Sequence, residues 1–284
     1  MDTQKKALTD YKKDVKSQHG EDGIITEIFR RMGAESKWCV EFGALNGTHH
    51  SNTWNLIMQE GWSGVLIEAD PTYAEKLKEV YKDTPRAHCF NEFVKFEGEH
   101  SLDSILARTP IPRDFDLLSV DIDGNDYHIW DSLSQYNPRV VVIEFNPTIP
   151  NDISFIQPQD MSVQQGSSLK ALAELGAKKG YRLAAVTGVN AFFILDELFP
   201  SLGIKESPLD ELNAGTSYYT RLFQLYDGTL VLEGNKQLLW HNLPIRQEDI
   251  QVLPAYARTY PSGVSSKWIV RTIKYYVRKL SARV

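Results

Sequence analysis

Apolar positions along the chain follow two periods. Ile24, Ile25, Ile28, Phe29 and Met32 recur at helical spacing and stop at Gly33, a residue suited to a helix C-terminus. From residue 38 onward, compact apolar runs alternate with helical stretches. WCVEF (38–42), GVLIEAD (64–70), AHCFNEFV (87–94), FDLLSVDID (115–123) and RVVVIEFN (139–146) read as five buried strands. The last two are nearly continuous in apolar residues, as strands covered on both faces should be. Helices are predicted over 51–60, from Pro71 to about Asp83, over 101–108, from Asp126 to Tyr136, and from Gly166 to Gly180. Pro71 stands at the first helical position, where its missing N–H costs nothing. YRLAAVT and NAFFILDE, split by Gly188, read as a closing strand pair. The pattern predicts an α/β protein with a mostly parallel sheet and helices on both faces.

After Glu197 the texture changes. Residues 199–220 are loop-rich, RLFQLYDGTLVLEG reads as a hairpin turning at Asp227-Gly228, and KQLLWHNLPI adds a further strand. The expected domains are therefore 1–198, with the N-terminal helical region 1–35 packed on it, and an extension over 199–284. Residues 1–16 are expected to fray or to form a surface helix. The polar stretch 147–165 is long for a loop inside a compact domain and is expected to be functional. In 265–284 six bases and no acids stand opposite Ile269, Ile273, Tyr276, Val277 and Leu280. That segment is either a terminal helix packed on the body or a basic amphipathic helix on an anionic membrane surface.

Composition narrows the class. A net charge of −6 and a pI near 5.7 argue against a nucleic-acid binder. Cys39 and Cys89 fall in predicted buried strands, which suggests a reducing compartment without a disulfide framework. The charged N-terminus is neither a signal peptide nor an anchor, and no apolar run approaches the roughly 18 residues that span a bilayer. A cytoplasmic protein is expected, peripheral to the inner face of a membrane if the basic tail docks there. A homo-oligomer is a further expectation.

The chemistry sits at the ends of the predicted strands. Glu41 closes the first, Glu68 and Asp70 the second, Asn91 the third, Asp121 and Asp123 the fourth, Glu144 and Asn146 the fifth. In an open parallel sheet, ligands bind beyond the carboxyl ends of the strands, where strand order reverses. Five successive tips of this kind predict one crevice and a cofactor-binding enzyme. Gly43 and Gly47 bracket a tight turn after the first strand, and the following polar segment carries His49, His50 and Asn52 toward a helix start. A carboxylate ending the second strand can hold two ribose hydroxyls. Glu68 is the first candidate and Asp70 the second, unless Asp70 only caps the next helix.

VEFGALNG, SNT, GVLIEADP, DLLSVDIDGND, VVVIEFNP, the upstream SQHGED and KKGYRLAAVTGVNAFFI together resemble the FkbM family of S-adenosylmethionine-dependent methyltransferases. The resemblance spans roughly residues 17–197. It implies a seven-stranded, Rossmann-like class I fold and methyl transfer, usually to oxygen. It also implies Glu41, Gly43 and Gly47 beside the amino-acid part of the cofactor, with Asn52 in the same shell, Glu68 beside the ribose, and Asn91 near the adenine. Gln18 and Glu21 would form a lid, again by resemblance. The acceptor implied is a small molecule or glycan bearing a hydroxyl. The commoner family pattern after the fourth strand is D-V-E-G-x-E, whereas this chain has aspartate in both glutamate places, at 123 and 126.

Asp121, Asp123, Glu144 and Asn146 form an all-oxygen set suited to Mg²⁺ or Mn²⁺. Such an ion would activate a substrate hydroxyl. Alternatively Asp121 and Asp123 bind the cofactor amine or a substrate hydroxyl directly, with Asp126 capping a helix. The D-x-D spacing also fits a metal-dependent glycosyltransferase, and D-x-D-G fits a haloacid-dehalogenase-like phosphatase with Asp121 as nucleophile. An EF-hand fails, because its sixth and twelfth places hold Asp126 and Ser132. His49, His50 and Glu144 are the candidate general bases, with Asp121 beside them. A catalytically silent, membrane-tethered scaffold is the non-enzymatic alternative.

Overall fold

A computed structural model describes residues 6–214, 218–260 and, beyond these, 270, 273–275, 277 and 278. The chain divides into two compact units, 1–216 and 217–284.

In the first unit β1 (Trp38–Phe42), β2 (Ser63–Glu68), β3 (Ala87–Asn91), β4 (Leu117–Val120), β5 (Val140–Glu144), β6 (Tyr181–Val186) and β7 (Asn190–Leu195) form one sheet in the order β3-β2-β1-β4-β5-β7-β6. The first five strands are mutually parallel, and β7 runs antiparallel to both β5 and β6. The expected Rossmann-like class I methyltransferase architecture is therefore what the chain builds. Strand order reverses at β1, which lies between β2 and β4, so the crevice belongs at the tips of these strands.

Alternate residues of each strand enter opposite cores. Val40, Phe42, Val141 and Ile143 join one cluster, and Cys39, Val140 and Val142 the other. With both faces dry, an apolar residue is favoured at every position, which explains the continuous runs. Cys39 is buried as expected, but Cys89 is only half-buried, on the outermost strand.

The helices of this unit are α1 (Glu21–Met32), α2 (Trp54–Met58), α3 (Pro71–Tyr81), α4 (Leu102–Leu106), α5 (Asp126–Ser132), α6 (Leu169–Lys178) and α7 (Leu209–Leu212). Several are shorter than expected, and side chains that capture backbone explain why. The α5 helix ends at Ser132, because the Asp103 carboxylate accepts the N–H groups of Ser134 and Gln135 at 3.0 Å each. From residue 6 to α1 the chain is neither frayed nor a surface α-helix, and residues 1–5 lie outside the described residues. A 3-10 turn, Leu8–Tyr11, buries Leu8, and Asp22 accepts the N–H groups of Val15, Lys16 and Ser17 at 2.8–2.9 Å.

Below the sheet, Asp116 is fully buried. It accepts N–H bonds from Glu35, Ser36 and Lys37 and pairs with Arg139 at 2.5 Å. This knot fixes where α1 hands over to β1.

In the second unit β8 (Thr220–Gln224) and β9 (Leu230–Gly234) form the expected hairpin, with Gly228 at a φ of 87° in its turn. KQLLWHNLPI is not one strand. It is a second hairpin of two-residue strands, β10 (Gln237–Leu238) and β11 (Leu243–Pro244), around a 3-10 turn at Leu239–His241. The predicted helical face of 265–284 lies mostly outside the described residues. Among the described residues, no helix is long and apolar enough to cross a membrane.

Candidate active site

A cavity of about 530 Å³ opens at the tips of β1, β2, β4 and β5, of a size that suits a small-molecule or cofactor site. Its lining includes Glu41, Glu68, Asp70, Glu92, Asp121, Asp123 and Glu144, two histidines (His49 and His50) and, among the described residues, no lysine or arginine. Acids far apart in sequence thus share one space, as the strand-end argument requires.

Each acid is held differently. Glu41 is buried, and its carboxylate is spent on the chain that follows. It accepts the Asn52 N–H at 2.6 Å and the hydroxyls of Ser51 and Thr53 at 2.7 Å each. This pins residues 51–53 as a loop, so helix α2 starts only at Trp54. Burial raises the proton affinity of Glu41, and the three donors oppose the rise. Asn52 lines the cavity and donates to the Ser119 hydroxyl at 3.1 Å. Glu68 accepts the Leu45 N–H at 2.7 Å and the Asp70 N–H at 2.8 Å, one on each oxygen. It ties the glycine turn to the β2–α3 turn, and each oxygen keeps a lone pair for a ligand. Asp70 both caps α3, accepting from Thr72 and Tyr73, and lines the cavity.

Gly43 is required by close approach. Its φ is 75°, and a Cβ there would lie 1.7 Å from the Asp121 carbonyl oxygen. The tips of β1 and β4 can touch only without a side chain at this point. Gly47, also at positive φ, faces Leu77 and Tyr81 rather than the cavity lining. Its role is packing of α3 beneath the turn.

At the β4 and β5 tips, oxygens of Asp121, Asp123 and Glu144 lie within 4.8 Å of one another. Asp126, the fully enclosed fourth carboxylate, accepts the N–H groups of Ile122 and Gly124 at 3.0 Å and so shapes the loop that turns Asp123 outward. Burial first, then the neighbouring Asp126 and Asp123 charges, push Asp121 up to about 8. Burial and the negative Asp121 push Glu144 up to about 10. Like charges this close hold a proton between them unless a cation takes its place. The donor set is all-oxygen with its charge unbalanced, so it fits a hard dication.

Besides Gly47, three residues expected here are elsewhere. Asn91 is outside the lining, and its amide donates to the carbonyls of Glu68 and Ala69 at 2.9 and 3.0 Å. Asn146 is also outside the lining. It accepts from Thr148 and donates to the Gln165 carbonyl, which anchors the end of the 147–165 loop. Glu21 is no lid. It is fully buried and accepts from Thr187, Asn190 and His19. A polar residue at a strand end serves the chain's own backbone as readily as a ligand. Gln18, by contrast, does line the cavity.

Other lining residues escaped sequence reasoning: Glu92 and Phe93 just past β3, Asn125, and Met161 and Gln164 from the long loop. The length of that loop was the only signal for the last two. Buried Gln157 organises it, accepting the N–H groups of Gln165 and Gly166 and donating to the Val163 carbonyl. The buried Asn125 amide donates to the carbonyls of Asp160 and Val163, while its Oδ1 has no partner. His49 and His50 stack with ring centroids 3.7 Å apart at the cavity wall. Burial and the neighbouring imidazole lower the proton affinity of His50.

No protein-family model matches the chain, and no curated protein matches it. Among solved structures it is similar to the mitomycin 7-O-methyltransferase MmcR, at 15% identity over 60% of this chain and 53% of that one, with a TM-score of 0.34. It thus spans about half the length of that enzyme. It is also similar to the N-terminal domain of EvdMO1 with SAH bound, at 11% identity over 63% and 81% of the two chains and a TM-score of 0.40. A third is magnesium protoporphyrin IX methyltransferase from Synechocystis PCC 6803 with bound SAM, at 9% identity over 62% and 77%, with a TM-score of 0.39.

Proposed function

We propose that the protein is an S-adenosylmethionine-dependent O-methyltransferase, FkbM-like, acting on a hydroxyl of a sugar, glycan or other polyol-containing molecule. The observation that carries the reading is the charge of the cavity: seven carboxylates and, among the described residues, no lysine or arginine around a space of about 530 Å³ at the strand-order switch. Such a site favours a cationic nucleoside over a phosphate-bearing one. For the phosphatase and glycosyltransferase alternatives the described lining offers no lysine or arginine to receive phosphate, only His49 and His50.

When bound, S-adenosylmethionine supplies an electrophilic methyl group on a positive sulfur. Glu68, with a free lone pair on each oxygen, would hold vicinal ribose hydroxyls. Asp121, Asp123 and Glu144 would hold Mg²⁺ or Mn²⁺, whose charge lowers the proton affinity of a coordinated hydroxyl. His50, whose proton affinity burial lowers, lines the cavity wall and would take the hydroxyl proton; Glu144 would be the second acceptor only where a dication keeps it deprotonated. Positioning of the acceptor oxygen in line with the methyl group is the larger part of the catalysis asked of the protein. Sugar or polyol preference comes from the sequence resemblance.

Calorimetric titration with S-adenosylmethionine, with and without Mg²⁺, tests the reading. Micromolar binding that weakens at least tenfold in Glu68→Ala is expected. An absence of binding heat, together with phosphoester hydrolysis lost in Asp121→Asn, would replace the methyltransferase with the phosphatase.

A further inference from the structure

The second unit carries a feature that methyl transfer does not use. Between Glu233 and Glu248 the chain contains no acid, and the apolar stretch Gln237–Ile245 is bracketed by Lys236 and Arg246. This stretch is the β10–β11 hairpin, closed by Asn242 in the left-handed region at a φ of 53°. Its large side chains point away from any core. Leu238 is 49%, Trp240 60% and Leu243 56% exposed. Strands of two residues have no packing that would justify holding leucine and tryptophan in water.

Charge indicates the partner. Residues 217–284 hold ten Lys and Arg against four Asp and Glu, whereas residues 1–216 hold 21 against 33. An acidic protein has therefore collected positive charge in the unit that shows the apolar hairpin. A tryptophan at the apex, leucines on either side and bases at the base match the layering of a bilayer interface. Aromatic and aliphatic groups enter the headgroup region, and lysine and arginine meet lipid phosphates. We infer that the 236–246 hairpin is an interfacial anchor that seats Leu238, Trp240 and Leu243 in an anionic membrane surface. Six of the ten bases of this unit lie in 265–284 and add to its positive charge. This anchoring is independent of the reaction catalysed.

The test is co-sedimentation of the full chain with phosphatidylcholine vesicles, with or without 30% phosphatidylglycerol. Binding is expected only with the anionic lipid and is expected to weaken with salt. Leu238→Glu/Trp240→Glu should weaken it at least tenfold, and Lys236→Glu/Arg246→Glu by roughly tenfold or more. Because the hairpin is exposed, both variants should keep the wild-type circular dichroism. Trp240→Phe should bind normally yet show weaker fluorescence quenching by brominated lipid than the wild type, the remainder coming from the other five tryptophans. Failure to sediment with either lipid would overturn the inference, as would binding that the glutamate variants leave intact. A soluble dimer that Trp240→Glu dissociates, without vesicle binding, would reassign the hairpin to self-association.

Discussion

Replacing Asp121 by asparagine should make the protein more stable while removing its activity. In the folded state Asp121 shares a small space with Asp123 and Glu144 and sits above the enclosed Asp126. Its proton affinity rises from an ordinary carboxylate value of 3.8 to about 8. A raised value means that the folded state binds the proton more tightly than the unfolded chain does. The penalty is absent below pH 4, where both states are protonated, and it grows as pH rises toward 8. Each tenfold displacement in proton affinity is worth about 1.4 kcal/mol, which gives roughly 5–6 kcal/mol for an unscreened group. Asp121 lines an open cavity and shares its proton with Glu144, so water and coupling reduce this to about 2–3 kcal/mol at pH 8. At about 2–4 °C per kcal/mol, Asp121→Asn should melt about 5–10 °C above wild type at pH 8 and within about 2 °C of it at pH 4.5. The measurement is thermal unfolding in EDTA across that range. Saturating Mg²⁺ should raise the wild type more than the variant and close the gap. A difference that does not change with pH, or a variant less stable at pH 8, would refute the electrostatic reasoning and the metal site with it.

Three other expectations follow from single contacts. Glu68→Ala removes the acceptor for Leu45 and Asp70 N–H together with the ribose contacts, and should raise the S-adenosylmethionine Kd about 10- to 100-fold in a calorimetric titration. Gly43→Ala must move the β1 and β4 tips apart, because its Cβ would lie 1.7 Å from a backbone oxygen at positive φ. A loss of about 3 kcal/mol or more in urea unfolding is expected, and wild-type stability would show that the two tips are not in contact. Asp116→Ala strands the buried Arg139 and three backbone N–H groups, so its urea midpoint should report a loss of about 3–5 kcal/mol with ligand affinity unchanged in whatever fraction folds.

The sheet was legible because burial on both faces leaves a direct imprint. Val140, Val141, Val142 and Ile143 alternate between two cores, and each position therefore had to be apolar. The convergence of Glu41, Glu68, Asp121 and Glu144 was legible for a topological reason, since parallel strands all deliver their tips to one edge. What each tip residue does there was not legible. Asn91 and Asn146 stand where a ligand-binding residue would, but backbone carbonyls of the adjoining strand end and loops claim their amides. Helix lengths failed for a related reason. Periodicity over 51–60 and 126–136 was helical, yet Glu41 and Asp103 captured backbone N–H groups from outside those segments. Competition of that kind comes from residues 11 to 32 positions away, beyond the reach of any local pattern.

The same rule separates framework acids from reactive ones. Glu41, Asp116 and Asp126 are surrounded by N–H or hydroxyl donors, so their charge is spent on shaping the chain. Asp121 and Glu144 have mainly one another, and so they remain high in proton affinity and unbalanced. A fold that supplies donors to three buried acids within the same unit, and withholds them from two at the crevice where strand order reverses, keeps an unfavourable arrangement that a ligand can relieve. A cation bound there would relieve it twice over, by neutralising the pair and by drawing an acceptor hydroxyl into the same charge. The instability predicted without metal and the chemistry proposed with it are two consequences of one unbalanced set of oxygens.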